Sequence, residues 1–285
     1  MSDLAQDPAA SFVDEEERAS ARRELRNRVG KWVLPVLVFA VGILAWDWII
    51  RINEIPHYIL PGPGLVFQTL IQDRAILLDA LMVTLQITLL ALLVAVIGGA
   101  GLAILFNQSR FVEMSFYPYA VVLQVTPIVA IAPLILIYAP STQVALLICA
   151  WIVAFFPILS NTTLGLNSVD RNLLDLFKLN GASRWQTLWH LRLPASMPYF
   201  LGGLKIAGGL ALIGAVVAEF VAGASGQSSG LASRIIEAGY RLNAPRLFAA
   251  LIPISFTGIV IFLVLSFISN RILRRWHESA LTQEH

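Results

Sequence analysis

The run MSFYPYAVVLQVTPIVAIAPLILIYAPSTQVALLICAWIVAFFPILSNTTLGLNSV, Met114–Val169, holds 56 residues without one Asp, Glu, Lys, Arg or His. A single membrane crossing needs only about 20 apolar residues, so the run reads as two helices joined by a turn. Ala139-Pro140-Ser141-Thr142 supplies that turn. Proline withholds a backbone donor there, and its small polar neighbours suit a hairpin at a membrane surface. Working outward, further crossings are expected at Trp32–Ile50, which carries only Asp47, at Ala80–Phe106 and at Leu247–Asn270. Tyr199–Val221 is a sixth, with Lys205 near one end and Glu219 near the other. The expected fold class is all-α, an integral membrane protein with six transmembrane helices.

The composition agrees: 57% of the 285 residues are hydrophobic and 13% are charged, against roughly a quarter charged in soluble domains. That excludes an ordinary water-soluble enzyme, and a net charge of +2 gives no reason to expect nucleic acid. The single cysteine, Cys149, allows no internal disulfide and reads as a small buried hydrophobe.

An even number of spans puts both termini on one side. Fifteen of the twenty Lys and Arg residues fall on that side, leaving Arg51, Arg74, Arg234, Arg241 and Arg246 opposite. Basic residues are retained in the cytoplasm, so both termini are expected there. The organisation is then a cytoplasmic N-terminal segment (1–31), a transmembrane domain (32–276) that includes a cytoplasmic connection (161–198), and a cytoplasmic tail (277–285). The first span follows a polar segment without a small-residue cleavage site, so it reads as an uncleaved helix. The chain is expected to open with disorder and then a solvated helix over Glu15–Arg28.

No catalytic, cofactor or metal site is expected. Gly30-Lys31 is followed by Trp32, and Leu25 stands where a phosphate loop needs its first glycine, so this chain does not hydrolyse ATP by itself. His57, His190, His277 and His285 are scattered and form no zinc pattern. Gly226-Gln227-Ser228-Ser229-Gly230 matches the G-x-S-x-G pattern of hydrolases. It lacks the preceding strand, and reads as a flexible connector.

The connection from Asn161 to Pro198 is 38 residues long, where about 4 to 6 is usual. Its apolar residues recur at helical spacing: Leu173, Leu174, Leu176 and Phe177, then Trp185, Leu188 and Trp189. Gly181 separates the two halves, Ser183 with Gln186 forms a capping box, and Pro194 is expected to end the second helix. Such a bent amphipathic pair can bury its apolar face in lipid headgroups or in another protein.

In span five, Gly203, Ala207, Ala211, Ala215 and Glu219 recur every four residues. The small residues read as close helix packing. Glu219 is either a gate in a solute pathway or a structural hydrogen-bonding group near the outer interface. Asp47 stands four residues before Arg51 and reads as half of a helical ion pair. Pro118, Pro127, Pro133 and Pro157 interrupt spans three and four, where they kink helices or line a passage, with Gln124, Thr126 and Asn161 as polar candidates beside them.

The segment Asp175-Leu176-Phe177-Lys178-Leu179-Asn180-Gly181-Ala182-Ser183, with Leu191-Arg192-Leu193-Pro194 and Pro198 behind it, resembles the EAA loop of binding-protein-dependent ABC importer permeases. Ile59-Leu60-Pro61-Gly62-Pro63 and Thr126-Pro127-Ile128-Val129-Ala130-Ile131-Ala132-Pro133-Leu134 resemble the nitrate/sulfonate/taurine-type branch. Asp175 stands for the usual glutamate, and Leu176-Phe177 for an alanine pair. The resemblance implies a permease in the bacterial inner membrane. Its partners would be a second permease subunit, two ATPase subunits that bind the ATP, and an extracytoplasmic substrate-binding protein. The same resemblance makes Asp175, Leu176, Phe177, Gly181, Ala182, Ser183 and Pro194 the ATPase-coupling residues. Glu219, Gln124, Thr126 and Pro127 are the pathway candidates.

Two rivals remain at this level. A self-powered secondary transporter would need buried coupling charges, for which only Asp47, Lys205 and Glu219 qualify. An intramembrane hydrolase would have to use Ser228. The branch resembled takes nitrate, sulfonates, taurine and heterocyclic vitamin or pyrimidine precursors. With no basic residue well inside a span, a small organic heterocycle is favoured over a strong anion.

Overall fold

A computed structural model describes residues 30, 31, 33–224 and 230–274. The expectations for the N-terminal segment, for Ser228 and for the tail from 277 onward lie outside the described residues. The regular elements described are all helices.

The chain divides into two units, Met1–Leu65 and Val66–His285. The first holds α1, Val33–Ile52, a 20-residue apolar helix long enough to cross a bilayer. Near its end Arg51 Nε lies 2.7 Å from Asp47 Oδ2, the helical ion pair read from the sequence. α2 covers Pro63–Gln72, with proline at its first position.

The second unit is built on α3 (Arg74–Gln108), α6 (Thr142–Asn167) and α8 (Arg184–Gly223). α6 and α8 approach closely because their facing residues are small. A Cβ on Gly203 would stand 2.7 Å from the Pro157 carbonyl oxygen, and one on Gly214 would stand 2.9 Å from Ala150 Cα. Ala207, Ala211 and Ala215 are completely buried along the same helix, so the small stripe is a packing face. Phe106, Ile158, Leu159 and Leu212 fill the centre of this core.

Between α3 and α6 the chain forms α4 (Arg110–Val125) and α5 (Ile128–Tyr138), which meet at 104°. The single span expected over this stretch is a broken one. Pro127 has no N–H to continue the ladder and drives Thr126 into an extended conformation (φ −71°, ψ 122°). The Thr126 hydroxyl then donates to the Val122 carbonyl at 2.6 Å and seals the end of α4. Ser141 caps α6 by accepting from the Val144 N–H, and the Ala139–Thr142 turn stands where it was expected.

α6 runs on to Asn167, so the connection to α8 is shorter than the interval from Asn161 to Pro198. It holds α7, Arg171–Leu179. Pro194 does not end a helix: α8 begins at Arg184 and continues for 40 residues. A π turn over Leu188–Arg192 explains this, with the Leu193 N–H bonded to the Leu188 carbonyl five residues back. The widened turn displaces the His190 carbonyl that the Pro194 ring would otherwise strike.

α9 (Leu231–Tyr240) and α10 (Ala244–Leu273) complete the unit. Asn243 caps α10, accepting from the Arg246 N–H at 3.1 Å. The Arg246 guanidinium reaches Asp73 in a bidentate pair of 2.6 and 2.9 Å, tying the start of α10 to the start of α3. The pair is mostly buried, so Asp73→Ala should cost about 1.5–3 kcal/mol. Thermal unfolding of the detergent-purified chain would show this, with Asp73→Ala/Arg246→Ala little worse than either single change.

Candidate functional site

The elbow at Gly181 is assembled from local signals that the sequence carries in full. Asp170 starts α7 by accepting from the Asn172 N–H at 2.7 Å, and Lys178 pairs with Asp175 at 2.8 Å on its exposed face. The helix closes with two bonds, Ala182 N–H to the Phe177 carbonyl (3.0 Å) and Gly181 N–H to the Lys178 carbonyl (2.9 Å). This Schellman closure requires a left-handed residue just past the cap. Gly181 supplies it at φ 70°.

Ser183 immediately starts α8. Its hydroxyl accepts from the Gln186 N–H at 3.2 Å, while its own N–H donates to Gln186 Oε1 at 2.7 Å. One helix is therefore stopped and another started within four residues, leaving no slack between them.

The elbow presents an apolar surface. Leu179 is 87% exposed, and Leu176, Trp185 and Trp189 are exposed with it, while Leu188 is buried and anchors the π turn in the core. Asp175, Gly181 and Ser183 are exposed as well, whereas Phe177 and Ala182 are half-buried. The structure brings these residues into one corner. Pro194 lies apart from it, half-buried in α8.

The pathway candidates fall at two places. Gln124 and Pro127 are exposed at the break between α4 and α5, with Thr126 half-buried between them. Glu219 is completely buried near the end of α8. Its Oε2 accepts from the Ala232 N–H at 3.1 Å, and its Oε1 has no hydrogen-bond partner among the described residues. No hydrogen bond among the described residues joins Glu219 to Gln124, Thr126 or Pro127.

Sequence reasoning missed the partners of Glu219. α9 begins at Gly230 without a side-chain cap of its own. Two other helices supply one: Thr84 Oγ1 of α3 accepts from the Leu231 N–H at 3.0 Å, and Glu219 of α8 accepts from Ala232. Gly230 lies so close to the Glu219 carboxylate that a Cβ would overlap it. A carboxylate at a helix N-terminus is favoured by the unsatisfied N–H groups and by the helix dipole. The signal available was Leu231, Ile235 and Ala238 at helical spacing, an apolar face directly after the Gly/Ser-rich stretch. On the other face Glu237 binds Arg234 (2.8 Å) and Arg241 (3.0 Å). The Arg234 hydrogen bond, with Arg241 adding charge, holds the Glu237 carboxyl below its ordinary value.

Residues 89–279 match the family described as binding-protein-dependent transport system inner membrane component. A probable ABC transporter permease protein of Haemophilus influenzae is 31% identical over 84% of this chain and 96% of its own length. The riboflavin transport system permease protein of Chloroflexus aurantiacus is 32% identical, over 86% of this chain and 90% of its own. The formylaminopyrimidine transport permease protein of Halalkalibacterium halodurans is also 32% identical, over 86% and 96%. Among solved structures, a chain of the inward-facing MetNI methionine ABC transporter shares the fold, with a TM-score of 0.59 at 16% identity over 73% of this chain and 99% of that one. The chain belongs to the binding-protein-dependent inner membrane components, the permease subunits of ABC importers of small solutes, which are transport components and not enzymes.

Proposed function

We propose that this permease forms one half of a solute pathway and converts closure of cytoplasmic ATPase subunits into alternating access through the elbow at Gly181. The observation that carries this reading is mechanical. The capped corner at Ser183 opens directly into a helix that runs unbroken to Gly223. A push on the elbow therefore displaces a whole spanning helix and, through Glu219 and Ala232, the helix α9 beyond it. Leu176, Leu179, Trp185 and Trp189 supply the apolar surface on which an ATPase groove would close.

In this assembly the chain pairs with a second permease subunit, two ATPase subunits and an extracytoplasmic binding protein. The elbow and both termini face the cytoplasm, in keeping with the distribution of Lys and Arg. The break at Thr126–Pro127 faces the pathway between the two permeases, because irregular backbone is tolerated within a bilayer only where protein or a water-filled cavity covers it.

The test uses Leu179→Cys, in a chain whose own Cys149 is buried. A membrane-impermeant thiol reagent should label it from the cytoplasmic side after the ATPase subunits are stripped, with labelling suppressed when they are bound. Labelling from the external side overturns the orientation, and labelling indifferent to the ATPases overturns the docking. As a check against a hydrolase, Ser228→Ala should transport at the wild-type rate.

The solute class we favour is a small organic heterocycle. Riboflavin and formylaminopyrimidine are the cargoes named for two of the relatives, and Lys205, half-buried, is the one basic residue within span five. Titrating the cognate binding protein with riboflavin, pyrimidines, taurine and nitrate decides it, and tight binding of nitrate or taurine alone would reverse the assignment.

A further inference from the structure

Two grooves adjoin at the elbow end of the second unit. One, of about 470 Å³, is lined by Asn107, Gln108, Arg110, Lys178, Arg184 and Arg192, among others. The other, of about 730 Å³, shares Asn107, Arg110 and Arg192 and continues over Met114, Tyr117 and Pro118. Four cations thus converge from three elements: the start of α4, the end of α7 and the first turns of α8.

Their charges are poorly compensated. Lys178 pairs with Asp175, but Arg110, Arg184 and Arg192 take part in no ion pair among the described residues. Among the described residues Arg184 donates only to the Gln108 carbonyl, at a long 3.4 Å. Glu113 lines the second groove alone, so no carboxylate lines the first. Unpaired guanidinium groups beside side-chain amides form a donor set suited to a phosphate, which arginine can hold with two parallel hydrogen bonds.

The neighbouring wall narrows the ligand. An inorganic ion would leave Met114, Tyr117 and Pro118 unused, whereas an amphiphile fills both grooves at once. The site also lies where α3 ends and α8 begins, at the level of the headgroups in the orientation proposed above. Basic pockets between spanning helices on that side attract anionic lipid headgroups.

We propose that this double groove binds an anionic phospholipid of the inner leaflet, its phosphate held by Arg110, Arg184 and Arg192 and its chain lying along the wall of Met114, Tyr117 and Pro118. The bound lipid bridges the α3–α4 corner and the elbow, so the stiffness of the coupling corner depends on the acidic lipid content of the membrane.

The experiment is lipid retention by the full complex, purified with its ATPase subunits and supplied with phosphatidylglycerol or phosphatidylcholine in mixed micelles. Native mass spectrometry reads the bound lipid. Wild type should retain phosphatidylglycerol selectively, and Arg110→Gln and Arg184→Gln, both at exposed positions, should each weaken that retention about five-fold. Phosphatidylcholine binding should not change. Unaltered phosphatidylglycerol retention in both variants overturns the proposal. So does displacement of the lipid by millimolar inorganic phosphate, which would mark a free-anion site. Loss of the ATPase subunits together with the lipid would mark a protein-docking surface and overturns it too. The measurement needs neither nucleotide turnover nor transport, so a failure of ATPase coupling with normal lipid retention counts against the coupling reading alone.

Discussion

Gly181→Asp is expected to reduce uptake to background while the protein still inserts and folds. The variant pays for a left-handed backbone at φ 70°, but aspartate is among the residues that tolerate this region, and the strain is at most about 1–2 kcal/mol. A Cβ at Gly181 meets nothing within 4 Å, so no clash arises inside the chain. The added carboxylate instead stands in open space at the elbow, whose Leu176, Leu179 and Trp185 side chains are exposed as well. An ATPase groove closing on that apolar surface would have to bury a charge without a partner, which costs several kcal/mol. Gly181→Asn has nearly the same shape and backbone tolerance without the charge, and should retain a substantial part of the uptake. Gly181→Ala reports the strain alone. Normal uptake by Gly181→Asp, measured in vesicles with the cognate binding protein, would remove the elbow from the coupling path.

The elbow was legible in the sequence because its signals are local. A glycine at C′ and a serine three residues before a glutamine each act within a few positions. The hairpin at Pro140 and the ion pair of Asp47 with Arg51 were readable for the same reason. What escaped was set by tertiary structure. Pro194 is a helix stop by any local rule, yet the π turn that spares the helix is anchored by Leu188 buried in the core. The break at Pro127 was visible as a proline, but its angle of 104° depends on what the two halves pack against. Asp73 and Arg246 lie 173 positions apart, and Thr84 and Leu231 lie 147 apart, so no pattern of spacing could have joined them. Glu219 could be recognised as exceptional because a carboxylate in a span is costly. Its partner is harder to see: Leu231, Ile235 and Ala238 recur at helical spacing, but nothing local ties that face to Glu219.

That partnership makes Gly230→Ala a severe change for a single methyl group. Gly230 is not needed there for its backbone, since its φ is an ordinary −75°. It is needed for its lack of a side chain, because a methyl group would occupy the place of the Glu219 carboxylate. Either the carboxylate moves and releases the Ala232 N–H, or α9 moves away from α3 and releases the Leu231 N–H from Thr84. Both outcomes leave buried polar groups unpaired, at a cost of about 2–3 kcal/mol on the usual scale for a hydrogen bond to a charged group. Glu219→Ala should lose a similar amount by removing the acceptor. Glu219→Gln keeps an oxygen that can accept from Ala232 and should stay close to wild type in thermal unfolding. The same three variants separate support from gating. If Glu219 only positions α9, Glu219→Gln leaves substrate-stimulated ATP turnover unchanged, whereas a gate that works through the carboxylate's charge loses stimulation while stability holds. A Gly230→Ala protein as stable as wild type would show that α9 is not held by this buried pair, and the mechanical route from the elbow would then end at Gly223.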